Sequence, residues 1–245
     1  SGFTTTGATI LTDIESVHRG VLFWRSLTQW IGGMGIIVLA VAILPILGIG
    51  GMQLFVAEAP GISPDKLQPR IKETAKRLWL IYFSLTAMET ILLWLGGMTF
   101  FDAINHGLTT MATGGFSTKN ASAAHFAPHL QYIMAFFMFL AGTNFTMTYF
   151  GSHGKFKKVW SNEEFRFYLG TCVLFILVTA TSIYFTTGHS FEKSFRDGLF
   201  QVISVITTTG YISADYTKWS SFLTMLFFVM MFIGASAGST AGGVK

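Results

Sequence analysis

Five runs of this chain, residues 30–50, 78–97, 132–151, 167–186 and 222–238, are apolar over about the 20 residues that a helix needs to cross about 30 Å of hydrocarbon. One such run alone reads equally well as a buried helix of a soluble domain. Five in a chain of 245 residues point to a bilayer. The composition agrees: 11% of residues are charged, against about 25% in soluble domains, and 25 are Phe. The net charge of +4 is small; the placement of the charges says more than their sum.

Lys66, Arg70, Lys72, Lys76 and Arg77 cluster between the first and second runs, and Lys155, Lys157, Lys158 and Arg166 between the third and fourth. Positive residues collect on the cytoplasmic side of membrane proteins, so both connectors are expected inside. Arg19, Arg25, Lys119, Lys193, Arg196 and Lys218 fall on the other face, which leaves the bias moderate. The connector over 51–69 holds Pro60, Pro64 and Pro69 and reads as irregular; a shorter one covers 153–165. The chain opens without a leader pattern, and both ends read as cuts. The lone cysteine, Cys172, lies in an apolar run and excludes an intrachain disulfide.

One short pattern recurs on the expected outer side. It appears as Thr4-Thr5-Thr6-Gly7-Ala8-Thr9, as Met111-Ala112-Thr113-Gly114-Gly115-Phe116, and as Thr207-Thr208-Thr209-Gly210-Tyr211-Ile212. The copies lie about one hundred residues apart, a period that marks a repeated structural unit. Short amphipathic stretches precede the second and third copies, around Asp102 and Asp197, and each follows a spanning run. The unit is therefore span, half-helix, Thr/Gly loop, span.

A re-entrant loop of this kind puts non-helical backbone at membrane depth, which is tolerated only inside protein or beside water. Glycine permits positive φ, so successive carbonyls can face one way. A ring of carbonyls replaces the water shell of a permeating cation, and the negative end of the half-helix dipole favours the same charge. A single Thr-Thr-Gly is more simply a turn after a helix; three copies in one context argue against that.

Other residues carry weaker signals. Glu89 sits in mid-span, where a carboxylate needs a cavity or a partner. Arg25, four residues before Gln29, is expected to snorkel or to pair with an outer acid. Asp13, Glu15, Asp102, Asp197 and Asp215 read either as a cation-concentrating rim or as solvated carboxylates. Thr143 and Asn144 interrupt the third run. His125 and His129 lack further metal ligands, and residues 151–155 lack the spacing of a phosphate loop.

The segments SGFTTTGAT, QWIGGMGIIVLAVAILP, GIGGMQLF, AEAPG, LTTMATGGFST and AGSTAGG together resemble the Trk/Ktr/HKT superfamily of potassium transporters, over nearly the whole chain. The resemblance implies an all-α polytopic membrane protein, with helix–pore-loop–helix units around a pseudo-fourfold pore that is incomplete in this chain. Residues 1–60 would be the end of a first unit, 61–155 a second, and 156–245 a third up to its gating loop. The start of the first unit and all of a fourth are expected outside the sequence. By position, the resemblance assigns a K⁺ filter to Thr5, Thr6, Gly7 and Ala8, to Ala112, Thr113, Gly114 and Gly115, and to Thr208, Thr209, Gly210 and Tyr211. Gly7, Gly114 and Gly210 match its filter glycines. It assigns a gate loop to Gly238, Ser239, Thr240, Ala241, Gly242 and Gly243. The plain alternative there is helix packing through Gly234 and Gly238.

The function implied is channel-like K⁺ translocation, with Na⁺ as a second ion, in a bacterial inner membrane. The implied partners are a second copy of the full-length protein and a cytosolic nucleotide-binding regulatory subunit, with no nucleic acid, no cofactor in this chain and no metal but the K⁺ at the filter. A secondary cation symporter is the alternative within transport, and a non-conducting scaffold lies further off. No nucleophile–base pair or intramembrane histidine suggests an enzyme.

Overall fold

The computed structural model describes residues 1–35 and 71–244. Most of the first apolar run, the proline-bearing connector, Lys66 and Arg70 lie outside them. The described chain is helical. In order it forms α1 (Arg19–Trp30), α2 (Ile71–Leu95), α3 (Phe100–Met111), α4 (Pro128–Ala141), α5 (Phe145–Ser152), α6 (Phe156–Trp160), α7 (Glu163–Thr187), α8 (Phe191–Ile206) and α9 (Ser221–Met230). Two helices, α2 over Lys76–Leu95 and α7, are long and apolar enough to cross a membrane, and the α4–α5 pair makes a third if it counts as one span. The expected runs at 78–97 and 167–186 are thus whole helices.

The other two described runs are broken. Residues 132–151 bend by 112° between α4 and α5. Asn144 makes the break, because its side chain accepts the Thr146 N–H at 2.9 Å and caps a new helix. The run at 222–238 is helical only to Met230. Beyond it the chain forms a loop closed by a parallel bridge between Ile233 and Val244. Gly234 and Gly238 therefore lie in this loop, not on a helix face, and the helix-packing alternative for that pair is excluded.

Two helices stop short by design of sequence. Helices α3 and α8 have 12 and 16 residues, less than the roughly 20 a span requires. Each starts from a hydroxyl cap. Thr99 accepts the Asp102 N–H at 3.1 Å, and Ser190 accepts the Lys193 N–H at 3.4 Å. Each packs between two neighbours, α3 between α1 and α2, and α8 between α4 and α7. Both are buried on polar as well as apolar faces: Asn105, His106, Thr109 and Thr110 in α3, and Asp197, Gln201 and Ser204 in α8, are nearly inaccessible. Such faces survive burial only when hydrogen-bonded; Thr109, Gln201 and Ser204 reach the carbonyls of Phe116, Ala214 and Tyr211 in the segments that follow.

Candidate functional site: three parallel strands and the loop beneath them

The three Thr/Gly segments share one backbone trace. A threonine in the left-handed region is followed two residues later by a glycine in the same region: Thr5 (φ 52°) and Gly7 (72°), Thr113 (49°) and Gly115 (73°), Thr208 (55°) and Gly210 (81°). Non-glycine residues rarely adopt such φ, so three threonines doing so at equivalent places are one feature repeated. Amide bonds to the preceding turn repeat as well. Thr5, Thr113 and Thr208 donate to the carbonyls of Gly2, Thr110 and Val205 at 2.9, 2.9 and 3.0 Å. The next residues, Thr6, Gly114 and Thr209, donate to Ser1, Thr109 and Ser204 at 3.2, 2.9 and 2.9 Å.

This trace corrects the register of the second strand by one residue. The counterpart of Gly7 and Gly210 is Gly115, not Gly114. Ala112 is the right-handed cap of α3 (φ −78°, ψ −4°) and precedes the strand, while Phe116 takes the place held by Ala8 and Tyr211. The sequence holds two adjacent glycines there, and only the backbone distinguishes them.

The glycines are demanded by their neighbours as well as by φ. A Cβ on Gly7 would lie 2.3 Å from the Gly114 carbonyl oxygen, and one on Gly115 would lie 2.0 Å from that of Thr209. In both cases the glycine of one strand abuts the central carbonyl of the next, so strands one, two and three stand side by side in chain order. Nothing lies within 4 Å of the corresponding position on Gly210. The carbonyls of the six left-handed residues (Thr5, Gly7, Thr113, Gly115, Thr208 and Gly210) receive no protein donor among the described residues. Bare backbone carbonyls are the kind of oxygen that can replace the water shell of a cation.

Residues behind the strands hold them. Gln29 of α1 is fully buried; its Nε2 donates to the Gly114 carbonyl at 2.7 Å and its Oε1 accepts the Phe116 N–H at 3.3 Å. Arg25, one turn earlier, lies 3.7 Å above the Phe116 ring, so its partner is an aromatic face and not an outer acid. Tyr211, also buried, has its hydroxyl hydrogen-bonded with that of Thr109 and accepting from that of Thr110, both in α3. Glu89 of α2 is fully buried, and neither of its carboxylate oxygens has a hydrogen-bond partner among the described residues. Sequence reasoning placed Gln29 only as a neighbour of Arg25, because its true partner lies 85 residues away.

The outer acids are engaged locally. Asp102 accepts from Thr118 and Thr99 at 2.6 and 2.7 Å. Burial pushes its carboxyl up, but those two hydroxyls and the nearby Lys119 outweigh burial and leave it below the usual carboxylate range. Asp197 pairs with Lys193 at 2.9 Å, Asp215 with Lys218 at 3.3 Å, and Asp13 accepts from Asn120 at 2.8 Å. His129 lies 2.8 Å from the Gly96 carbonyl.

The loop after α9 bonds directly to the start of two strands. The Thr113 hydroxyl donates to the Thr240 carbonyl at 2.9 Å, and the Gly242 N–H donates to the Thr208 hydroxyl at 2.7 Å. The Thr240 hydroxyl reaches the Met111 and Ala141 carbonyls at 3.0 and 3.2 Å. The Ser236 N–H donates to the Gly142 carbonyl at 3.0 Å, and the Phe145 N–H to that of Gly238 at 3.2 Å, so the loop occupies the α4–α5 bend. The Ala237 N–H is held by the Glu164 carboxylate. Gly238 and Gly243 take positive φ, and the Ser239 hydroxyl closes the turn onto the Ser236 carbonyl at 2.6 Å.

Comparison with known proteins follows this geometry. A family model described as "TrkH: Cation transport protein" matches residues 1–245. The Trk system potassium uptake protein TrkH of Salmonella typhimurium is 45% identical over 249 residues, covering 100% of this chain and 52% of that protein. The potassium uptake protein TrkI of Halomonas elongata is 38% identical over 248 residues, covering 100% of this chain and 50% of that one. The crystal structure of the potassium transporter TrkH from Vibrio parahaemolyticus superposes with a TM-score of 0.83 at 42% identity, over 99% of this chain and 50% of that chain. The chain spans about half the length of the curated relatives it matches.

Proposed function

The chain belongs to the TrkH family of cation transport proteins, and from that premise we infer that it supplies three of the four walls of a K⁺-conducting filter. Its helices make it a membrane protein of repeated helix–loop–helix units. The observation that carries the reading is that, on three adjacent strands, every carbonyl of the Thr-x-Gly segments but that of Gly114 lacks a donor among the described residues, the six of the left-handed residues among them. A K⁺ ion that has shed water is stabilised by such oxygens, and the carbonyl ends of α3 and α8 add their dipoles. Thr5, Gly7, Thr113, Gly115, Thr208 and Gly210 are the proposed ligands, and the open side of Gly210 is where a fourth strand's carbonyl would stand. The units divide at 1–60, 61–155 and 156–245.

The loop over 234–244 is the proposed gate. It lies against the first threonines of strands two and three, and its hydroxyl and amide contacts there are ones a displaced loop would lose. The full-length protein is proposed to act as a homodimer in a bacterial inner membrane, with a cytosolic nucleotide-binding regulatory subunit. The basic connector holding Lys155, Lys157 and Lys158 belongs to that inner face.

The test is ion uptake into liposomes carrying the full-length parent protein. Rubidium uptake in preference to sodium, reduced by Gly210→Ser, is the expected result. Equal uptake of both ions by folded wild-type protein would reject the filter.

A further inference from the structure

In all three strands a single residue grips both ends of the turn. The carbonyl of Ser1, Thr109 or Ser204 accepts the amide of the strand's central residue. The hydroxyl of that same residue reaches the carbonyl seven positions on: Ser1 to Ala8 at 2.6 Å, Thr109 to Phe116 at 2.9 Å, Ser204 to Tyr211 at 2.8 Å. Thr109 and Ser204 are buried, each three residues before the cap of its half-helix. The Thr109 hydroxyl also lies 3.0 Å from the Asn105 carbonyl. That oxygen already accepts the helical N–H of Thr109, whereas the Phe116 carbonyl has no other donor among the described residues. The one hydroxyl proton is therefore assigned to Phe116, and the Tyr211 hydroxyl in turn donates to the Thr109 oxygen.

We propose that these three hydroxyls are positioning residues that set the outer limit of the cation site, by turning the carbonyls of Ala8, Phe116 and Tyr211 away from the ion. The proposal rests on the reading of the strands as a filter. It removes Ala8 and Tyr211 from the ligands that family resemblance suggests, and ends the ladder of available carbonyls at Gly7, Gly115 and Gly210. A carbonyl with a short hydroxyl donor is an occupied acceptor, and releasing it would cost the strand its fixed geometry. Because Tyr211 is both a tied residue of strand three and the donor to the tie of strand two, a loosened tie in one strand reaches the next.

The experiment compares rubidium and sodium uptake by the full-length parent protein in liposomes, for Ser204→Ala, Ser204→Thr and Gly115→Ala. Ser204→Ala frees the Tyr211 carbonyl and is expected to lower the rubidium-to-sodium ratio by roughly tenfold, the scale of one lost hydrogen bond. Ser204→Thr, which keeps the hydroxyl, is expected to restore most of it. A merely structural role would lower the amount of active protein and leave the ratio alone. A wild-type ratio in Ser204→Ala, with the ratio lowered in Gly115→Ala, overturns the proposal and spares the filter. A wild-type ratio in both overturns the filter and the proposal together. Should Ser204→Ala fail to elute as a folded species, Thr109→Val against Thr109→Ser makes the same comparison on strand two, and an unchanged ratio in Thr109→Val rejects the tie.

Discussion

Strands two and three follow the same trace, yet different neighbours hold them. Strand two is gripped from α1: Gln29 takes its central carbonyl and the Phe116 amide, and Arg25 covers the Phe116 ring. Strand three reaches out instead, sending Tyr211 into the hydroxyls of α3. What stays constant is the backbone, a left-handed threonine and a left-handed glycine two residues apart, with amides tied to the preceding turn. The clamp is free to vary while the carbonyl geometry is not. That is the pattern expected where the backbone, not any side chain, makes the chemistry.

The comparison is sharpened most by Gly115→Ala. Its Cβ would meet a backbone oxygen at 2.0 Å, which no side-chain rotation relieves. Rubidium uptake is expected to lose its preference over sodium by more than about tenfold, on top of a strain of about 1–3 kcal/mol for a non-glycine residue at that φ. Next comes Gln29→Leu, which leaves the Gly114 carbonyl and the Phe116 amide without their buried partner. Each unsatisfied group costs about 1–3 kcal/mol, so a clear fall in melting temperature is expected, with strand two's contribution to selectivity reduced. Tyr211→Phe keeps the ring and removes one hydroxyl, at about 1 kcal/mol. A melting temperature lowered as far as in Gln29→Leu would show that the two clamps carry equal weight. Arg25→Gln removes a half-exposed cation over Phe116, an effect of about 0.5–1 kcal/mol, read as a small shift in the same melt. Separately, Thr240→Val removes the hydroxyl that reaches the Met111 and Ala141 carbonyls. Faster rubidium uptake is expected if the loop gates; unchanged uptake would count against the gate.

Much of this architecture is readable from the residues. Apolar length identifies α2 and α7, because a span needs little besides hydrophobic residues. It misleads at 132–151 and 222–238, where apolar residues on both sides of a break keep up the run's length, though Thr143 and Asn144 already mark the first break. In the first, the Asn144 cap ends one helix and opens another; in the second, Phe and Met continue to Phe232 while the helix stops at Met230. Composition does not register a break made by hydrogen bonds from elsewhere, such as the Gly142 carbonyl accepting Ser236. The three strands are legible as a repeat. The register of the second is not, since Gly114-Gly115 offers two glycines and a common Thr-x-Gly is visible only once the dihedral angles are known. Gln29 and the hydroxyl ties depend on tertiary or seven-residue contacts with no local signature.

The central claim is that the left-handed glycine abutting the next strand is the filter's fixed point, which makes Gly115 the counterpart of Gly7 and Gly210. The direct test is the rubidium-to-sodium uptake ratio of the full-length parent protein carrying Gly115→Ala, set beside Gly114→Ala. A Cβ on Gly114 meets only the end of the Gln29 side chain, at 2.3 Å, and Gly114 has no left-handed φ. The account predicts the ratio to collapse in Gly115→Ala and to fall far less in Gly114→Ala. Collapse at Gly114 with the ratio preserved at Gly115 would contradict it.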